Sequence, residues 1–268
     1  MSSSTEKPTR IALVTGAAQG LGMVIALRLA KDGLNVAIHD LPNQEEKLLA
    51  VAEKIRALGR ESSIHMGDIA EEENIKNIIE GVVEKHGGLD VMVANAGVLL
   101  TAPFLETTAE LLDKIFSINA RSVFLSYRYA AAQMVKQGRG GRIIGASSFG
   151  GKSGVQHQNI SAYVGTKFAV RGITQAAAGE LGKYGITVNA YAPGVIDTEM
   201  SQRYIEKYSK DLFNMSPEEF AVAFAQQIPV RRGGVPEDIT GLVSYLASEE
   251  AGFITGQTIS INGGTYCD

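Results

Sequence analysis

The chain has 268 residues, of which 45% are hydrophobic and 20% charged, a composition typical of a soluble globular protein with a large core. A net charge of −4 and a pI of about 5.7 leave no basic excess for nucleic acid or an anionic membrane surface. No apolar run reaches the roughly 18 residues of a membrane span, and MSSSTEKPTR (1–10) lacks the apolar stretch of a signal peptide, so we expect a cytoplasmic protein.

Short apolar runs alternate along the chain with segments whose apolar residues recur at the spacing of an α-helix. Apolar stripes within 48–58 and 75–83 predict amphipathic helices, and 237–248 and 256–263 predict a last helix and a last strand. Six runs lack the alternation of a half-exposed strand and predict parallel strands covered on both faces: IALVT (11–15), VAIH (36–39), SIHM (63–66), VMVA (91–94), RIIGA (142–146) and TVNAY (187–191). This alternation predicts an α/β fold with a doubly wound parallel sheet of about seven strands, of the Rossmann type and in one domain.

The first predicted strand is followed by TGAAQGLG (15–22), in which Gly16, Gly20 and Gly22 open a helix. Glycines at this place allow a tight turn and a close approach of the backbone to a pyrophosphate, whose charge the helix N–H groups can bind. The spacing G-x-x-x-G-x-G is not that of the G-x-G-x-x-G fingerprint. A plain tight turn is therefore the alternative interpretation.

Acidic residues end the second and third predicted strands. Asp40 can accept hydrogen bonds from both ribose hydroxyls of an adenosine, and its charge would repel a 2′-phosphate. Because the glycine turn offers Gln19 rather than a basic residue, the sequence favours NAD over NADP. Asp68 would lie near the adenine amine. Each carboxylate could instead cap the helix that follows it.

Tyr163 and Lys167 in SAYVGTKFAV (161–170) lie four residues apart, which places them on one face of a helix. A tyrosine in water has a pKa of about 10 and cannot act as a base near neutrality. A positive charge about 4 Å away, at an effective dielectric constant of about 20, would lower that pKa by up to about 3 units, although burial opposes this. We therefore expect Tyr163 to work as a general acid–base near pH 7. The polar edge of an amphipathic helix is the alternative.

The motifs at the strand ends together resemble those of the short-chain dehydrogenase/reductase family, and the resemblance covers residues 10–264 as one domain. Ser148 lies 15 residues before Tyr163, a longer spacing than is usual in the family, so we expect part of GGKSGVQHQNI (150–160) to loop out beside the substrate. Ser148 is preferred over Ser147 because GRIIGASS aligns with the family's strand-end serine. The matching motifs are TGAAQGLG, Asn95-Ala96-Gly97, Asn119, Ser148, Tyr163-x-x-x-Lys167, and Pro193-Gly194 with Thr198.

The resemblance implies an NAD(H)-dependent oxidoreductase that interconverts a secondary alcohol and a ketone by hydride transfer. It implies that Tyr163 moves the proton, that Ser148 holds the substrate oxygen, that Lys167 binds the nicotinamide ribose, and that Asn119 positions a water linking Lys167 to solvent. The residues that it assigns to the cofactor are Gly16, Gln19, Gly20, Leu21, Gly22, Asp40, Leu41, Asp68, Ile69, Asn95, Ala96, Gly97, Tyr163, Lys167, Pro193, Gly194, Ile196 and Thr198.

Cysteine and histidine usage predicts neither a disulfide framework nor a metal site. The single cysteine, Cys267, cannot form an internal disulfide, and His39, His65, His86 and His157 lack metal-ligand spacing. His157 lies in the loop before Tyr163, where it would either line the substrate pocket or lie on the surface.

The substrate is predicted only as a class. Residues 195–228 interrupt the βαβ rhythm and predict either a helical lid over the substrate or a helical pair that packs its own aromatic residues. Together with VLLTAPF (98–104), this segment predicts an uncharged, apolar or cyclic small molecule. SAYVGTKFAVRGITQ (161–175) and TGQTISINGG (255–264) resemble the acetoin/diacetyl reductase and polyol dehydrogenase branch most, and the family implies a homotetramer.

Two other functions remain open from the sequence. One is an NADPH-dependent 3-oxoacyl carrier-protein reductase, which Asp40 disfavours. The other is a catalytically inactive NAD-binding sensor, which the complete set of Ser148, Tyr163 and Lys167 disfavours. No nucleic acid or membrane is expected as a partner.

Overall fold

The computed structural model describes residues 9–155 and 158–267, and within them seven parallel strands form one sheet. The strands are β1 (Ile11–Thr15), β2 (Asn35–Asp40), β3 (Ser62–Met66), β4 (Val91–Ala94), β5 (Gly141–Ala146), β6 (Ile186–Pro193) and β7 (Thr258–Ile261). The α-helices are α1 (Gly20–Lys31), α2 (Glu45–Ala57), α3 (Glu72–His86), α4 (Ala109–Phe116), α5 (Ser122–Gln137), α6 (Ser161–Leu181), α7 (Glu199–Phe213), α8 (Pro217–Gln227) and α9 (Pro236–Ala247).

The strand order is β3-β2-β1-β4-β5-β6-β7, so the chain winds outward from β1 in two directions. It first passes through β2 to β3, and then returns to β4 on the other side of β1. The loops after β1 and β4 therefore diverge and leave a crevice at the carboxyl end of the sheet, where such folds bind ligands. The predicted doubly wound, single-domain fold is confirmed.

Apolar side chains cover both faces of the sheet. α1, α2 and α9 bury residues such as Ile25, Leu48 and Val243 on one face, and α3, α5 and α6 bury residues such as Ile79 and Met134 on the other. All residues of β1, β4 and β6 are buried, as their continuous apolar runs predict. The edge strands β3 and β7 are only partly buried, because each has a neighbour on one side alone.

Residues 195–228 contain the two helices α7 and α8, which begin at strong capping signals. Thr198 and Ser216 each form a capping box, and Pro217 occupies the first position of α8. Aromatic side chains also pair within each helix: the ring centroids of Tyr204 and Tyr208 lie 5.0 Å apart, and those of Phe220 and Phe224 lie 5.9 Å apart. The predicted helical pair with aromatic packing is therefore present.

Three further expectations concern single features. His157 lies outside the described residues. Cys267 is exposed and carries a free thiol. Across 9–155 and 158–267, no helix combines the length and the apolar character needed to cross a membrane.

Candidate active site

The turn between β1 and α1 folds tightly onto the loop that follows β4. Gly16 has a φ of +66°, and a Cβ on Gly22 would lie 2.1 Å from the carbonyl oxygen of Gly16, so this turn requires glycine. The side-chain amide of Asn95 donates to the carbonyl oxygens of Thr15 and Gly16 at 2.8 and 3.2 Å. Gln19, the residue before α1, makes no side-chain capping bond, so the first N–H groups of the helix remain for a ligand. This cradle fits an anionic group such as a pyrophosphate.

Asp40 is the last residue of β2 and lies against the glycine turn. Its Oδ2 accepts a hydrogen bond from the N–H of Ala18 at 3.0 Å, and its Oδ1 accepts one from the N–H of Leu41 at 2.9 Å. The short helical turn after β2 has Leu41 as its N-cap, and α2 has Gln44. The interpretation of Asp40 as a helix cap is therefore wrong, and its carboxylate borders the crevice instead.

Asp68 follows β3, two strands away from β1. Its Oδ1 accepts a hydrogen bond from the N–H of Ala70 at 2.9 Å, whereas Glu71 is the N-cap of α3. The capping interpretation is thus wrong for Asp68 as well, because the carboxylate stabilises the turn before the helix. The next residue, Ile69, is buried.

The predicted catalytic side chains meet where β5 ends against α6. The hydroxyl groups of Ser148 and Tyr163 are hydrogen-bonded to each other. The ammonium of Lys167 donates to the carbonyl oxygen of Ala146 at 2.8 Å and lies 5.5 Å from the centroid of the Tyr163 ring. A methyl group built on Gly97 would lie 3.6 Å from the same ammonium, so the loop after β4 closes the site from the other side.

Ser147 and Ser148 face different partners. Ser147 is buried and donates from Oγ to the backbone carbonyl of Lys167 at 2.9 Å, which ties α6 to the end of β5. Ser148 accepts a hydrogen bond from the N–H of Gly150 at 3.1 Å. Its hydroxyl also forms a hydrogen bond with the hydroxyl of Tyr163. Of the two serines, Ser148 is therefore the one placed beside the tyrosine.

Burial shifts the pKa values of both titrating groups. Desolvation raises the pKa of Tyr163 above its ordinary value, although the hydrogen bond with Ser148 opposes that rise. Burial lowers the pKa of Lys167 to about 8. The expectation that the lysine charge brings the pKa of Tyr163 near 7 is therefore wrong for this structure, since desolvation raises that pKa and the ammonium is directed at Ala146.

Asn119 lies in a π-helical turn (117–121) between α4 and α5, a local irregularity that often marks functional sites. Its amide nitrogen donates to the carbonyl oxygen of Val98 at 2.8 Å and to Oγ1 of Thr166 at 3.3 Å, and its Oδ1 accepts from the N–H of Val98 at 2.8 Å. Thr166 in turn donates to the carbonyl oxygen of Tyr163 at 2.6 Å. Asn119 thus joins the β4 loop to α6, and its role in positioning a water stays a prediction.

The turn after β6 connects α7 to the crevice. The N–H of Gly194 donates to the carbonyl oxygen of Ile261 at 2.9 Å, which holds the turn against β7. The methyl group of Thr198 would lie 4.0 Å from a Cβ on Gly20, so the start of α7 approaches the glycine turn. Among the apolar residues assigned to the cofactor, Ile196 is buried, Leu21 packs partly against the core and Leu41 is exposed.

Tyr191 is a site residue that sequence analysis missed. It is fully buried in β6 and donates from its hydroxyl to Oδ1 of Asn95 at 2.7 Å. Thr15 Oγ1 accepts from the N–H groups of Asn95 and Ala96, both at 3.1 Å. The signal in the sequence was a tyrosine inside a buried strand, because a buried phenol usually has a hydrogen-bond partner.

Comparison with known proteins assigns the family. A family model described as enoyl-(acyl carrier protein) reductase matches residues 16–266. A short-chain dehydrogenase/reductase of Armillaria gallica is 45% identical over 268 residues, which is 100% of both chains. The chain belongs to the short-chain dehydrogenase/reductase family. The resemblance inferred from the sequence motifs is confirmed.

Other known proteins are also similar to the chain. L-2,3-butanediol dehydrogenase of Corynebacterium glutamicum is 41% identical over 96% of this chain and 98% of that protein. The solved structure of an actinorhodin polyketide ketoreductase with NADPH has a TM-score of 0.90 at 32% identity, and the match covers 96% of this chain and 97% of the ketoreductase. The butanediol dehydrogenase agrees with the predicted acetoin and polyol branch. As a short-chain dehydrogenase/reductase, the chain is an oxidoreductase that uses a nicotinamide cofactor.

Proposed function

We propose that the chain is an NAD(H)-dependent oxidoreductase that interconverts a secondary alcohol and a ketone. The observation that carries this proposal is the hydrogen bond between Ser148 and Tyr163, with the ammonium of Lys167 5.5 Å from the tyrosine ring. A proton donor, a second hydroxyl and a cation therefore share one partly buried site at the carboxyl end of the sheet. This is the set of groups that reduction of a carbonyl requires from the protein.

The bound nicotinamide supplies or accepts the hydride, and the protein directs the proton. Because burial raises the pKa of Tyr163, its hydroxyl is protonated near neutral pH and can donate to a ketone oxygen as negative charge develops there. Ser148 can hydrogen-bond the same oxygen. In the direction of alcohol oxidation Tyr163 must first lose its proton, so oxidation should be favoured at alkaline pH.

The position of Asp40 supports NAD as the cofactor. Its carboxylate is held at the glycine turn by the N–H of Ala18, where it can accept from ribose hydroxyls and would repel a 2′-phosphate. A 3-oxoacyl carrier-protein reductase that depends on NADPH fits this carboxylate less well. The complete group of Ser148, Tyr163 and Lys167 disfavours an inactive NAD-binding sensor.

Contacts of α7 support a lid role for residues 195–228, which we call the lid segment. The hydroxyl of Tyr204 donates to the carbonyl oxygen of Gln158 at 3.2 Å, and the ammonium of Lys207 donates to Oγ1 of Thr101 at 3.1 Å. The loops before α6 and after β4 are themselves joined by a bond of 2.9 Å from the N–H of Ala102 to the carbonyl oxygen of Asn159. One face of α7 therefore binds both loops that flank the catalytic groups.

The substrate that this enclosure favours is an uncharged, apolar or cyclic secondary alcohol or ketone. Val98, Leu99 and Leu100, which precede Thr101 in the loop after β4, are partly buried, and Lys207 is exposed. We further propose a single domain over 10–264, a cytoplasmic location and a homotetramer that uses α6 and β7 as interfaces.

The test of the proposed reaction is Tyr163→Phe, which removes only the titrating hydroxyl. Turnover should fall by roughly 10²–10⁴-fold with the best member of a panel of secondary alcohols and ketones, followed by NADH absorbance. NADH affinity, measured by fluorescence titration, should stay within about twofold, because the proton donor adds little to ground-state binding. Tyr184→Phe, at an exposed tyrosine beyond the end of α6, is the matched control and should leave both values unchanged.

Retention of about a tenth of the turnover by Tyr163→Phe would contradict the role of Tyr163 as general acid–base. A wild-type protein that binds NADH but turns over no alcohol or ketone would favour the inactive sensor instead.

A further inference from the structure

The adenosine end of the proposed cofactor site contains a cation that the glycine motif does not supply. Lys47 in the first turn of α2 donates from Nζ to Oε1 of Gln19 at 2.5 Å. Gln19 follows Ala18, whose N–H binds the carboxylate of Asp40. An ammonium and a carboxylate therefore approach the same turn, the carboxylate from the end of β2 and the ammonium from α2.

The packing of α2 explains why Lys47 reaches this turn. Leu48 and Val51 are buried in the core and set the orientation of the helix, so that Lys47 lies on its exposed edge. The Gln19 side chain makes no capping bond to α1, and its amide oxygen binds the lysine instead. A lysine held in this way loses less rotamer freedom when it binds a ligand than a free one would.

We propose that Lys47, oriented by Gln19, is a cofactor-specificity residue that lets the site accept a 2′-phosphate despite Asp40. This inference rests on the proposed dinucleotide site, in which the ribose 2′-oxygen faces Asp40. A phosphate on that oxygen meets the repulsion of the carboxylate and the attraction of the ammonium at the same turn. The preference for NAD then depends on the difference between the repulsion by Asp40 and the attraction by Lys47. It is therefore weaker than the preference that Asp40 alone would produce.

The experiment compares the binding of ADP-ribose and 2′-phospho-ADP-ribose by isothermal titration calorimetry. Both ligands lack the nicotinamide, so the readout is independent of turnover. At low salt, Lys47→Ala should raise the Kd of the phosphorylated ligand by about tenfold, while the Kd of ADP-ribose should change by less than about twofold. Lys47→Arg should retain the affinity of the wild type. The effect should shrink at about 1 M salt, where the Debye length is about 3 Å.

Lys54→Ala is the matched control, because it removes the same charge from an exposed position on α2. It lies seven residues farther along, which is about 10 Å along a helix axis, and it should change neither Kd. Equal effects of Lys47→Ala and Lys54→Ala would overturn the inference, as would equal losses for both ligands or no loss at all.

The outcomes also separate this inference from the proposed function. A wild-type protein that binds the phosphorylated ligand more tightly than ADP-ribose would refute the preference for NAD, while the comparison of Lys47→Ala with Lys54→Ala would still decide the role of Lys47. A wild-type protein that binds neither ligand would overturn both the dinucleotide site and the inference.

Discussion

Replacing Lys167 with methionine keeps an unbranched side chain of similar length and removes a buried ammonium. Lys167 is 5% exposed, and burial lowers its pKa from 10.5 to about 8. At pH 7 the lysine is charged in both the folded and the unfolded chain, so the folded state carries the cost of burying that charge. Lys167→Met should therefore stabilise the fold while it abolishes turnover.

The size of the gain follows from the pKa and from one hydrogen bond. The difference between 10.5 and about 8 corresponds to about 3.4 kcal/mol, because each pKa unit is worth about 1.36 kcal/mol. Against this, methionine cannot donate to the carbonyl oxygen of Ala146, and an unpaired buried acceptor costs about 1–3 kcal/mol. We expect a net increase of about 1–2 kcal/mol in the free energy of unfolding at pH 7.

The pH dependence identifies the cause of the gain. Folded Lys167 releases its proton near pH 8 and unfolded lysine near 10.5, so the folded state binds fewer protons between these values. Wild-type stability should consequently rise through this window and recover about 1.3 kcal/mol of the cost by pH 9. The advantage of Lys167→Met should shrink by the same amount.

Urea unfolding at pH 7 and pH 9 measures both effects, with the exposed Lys54→Met on α2 as a control that should show no gain. A Lys167→Met protein that is less stable than the wild type by the same amount at both pH values would refute the reasoning, because a buried charge would then carry no cost.

Three further predictions concern the cofactor, the lid segment and acid stability. Asp40→Ala should relax the preference for NAD, because it removes both the ribose acceptor and the charge that opposes a 2′-phosphate; kcat/KM for NAD and NADP measures this, and a wild type that already prefers NADP would contradict it. Tyr204→Phe removes the donor to Gln158 and should raise the substrate KM by about threefold without changing NADH affinity; equal losses in both would argue against a lid. Burial, with smaller contributions from neighbouring histidines, lowers the pKa of His65 to about 4. The contribution of His65 to the free energy of unfolding should therefore be complete above about pH 6.5 and fall by at most about 2 kcal/mol by pH 5. Urea titrations of the wild type and His65→Gln should show a smaller loss in the variant, in which only His39 and His86, whose pKa values burial also lowers, still contribute.

The sequence by itself determined the order of strands and helices and the residues that follow each strand. IALVT (11–15) and VMVA (91–94) are strands with the predicted bounds. A continuous apolar run is stable in a parallel sheet only where helices cover both faces, which is at the buried centre. Residues 195–228 contain two helices because their capping residues act over three or four positions. Such signals depend only on residues that are close in the chain, so they can be recognised in the sequence.

Only the tertiary structure decided which side chains meet. Gln19 and Lys47 are 28 residues apart in the chain, and Asn95 and Tyr191 are 96 apart, yet each pair forms a hydrogen bond. The raised pKa of Tyr163 likewise depends on how β5 packs against α6. A side-chain contact or a pKa depends on distances and burial across several elements, and these quantities exist only once the sheet and its helices have packed together.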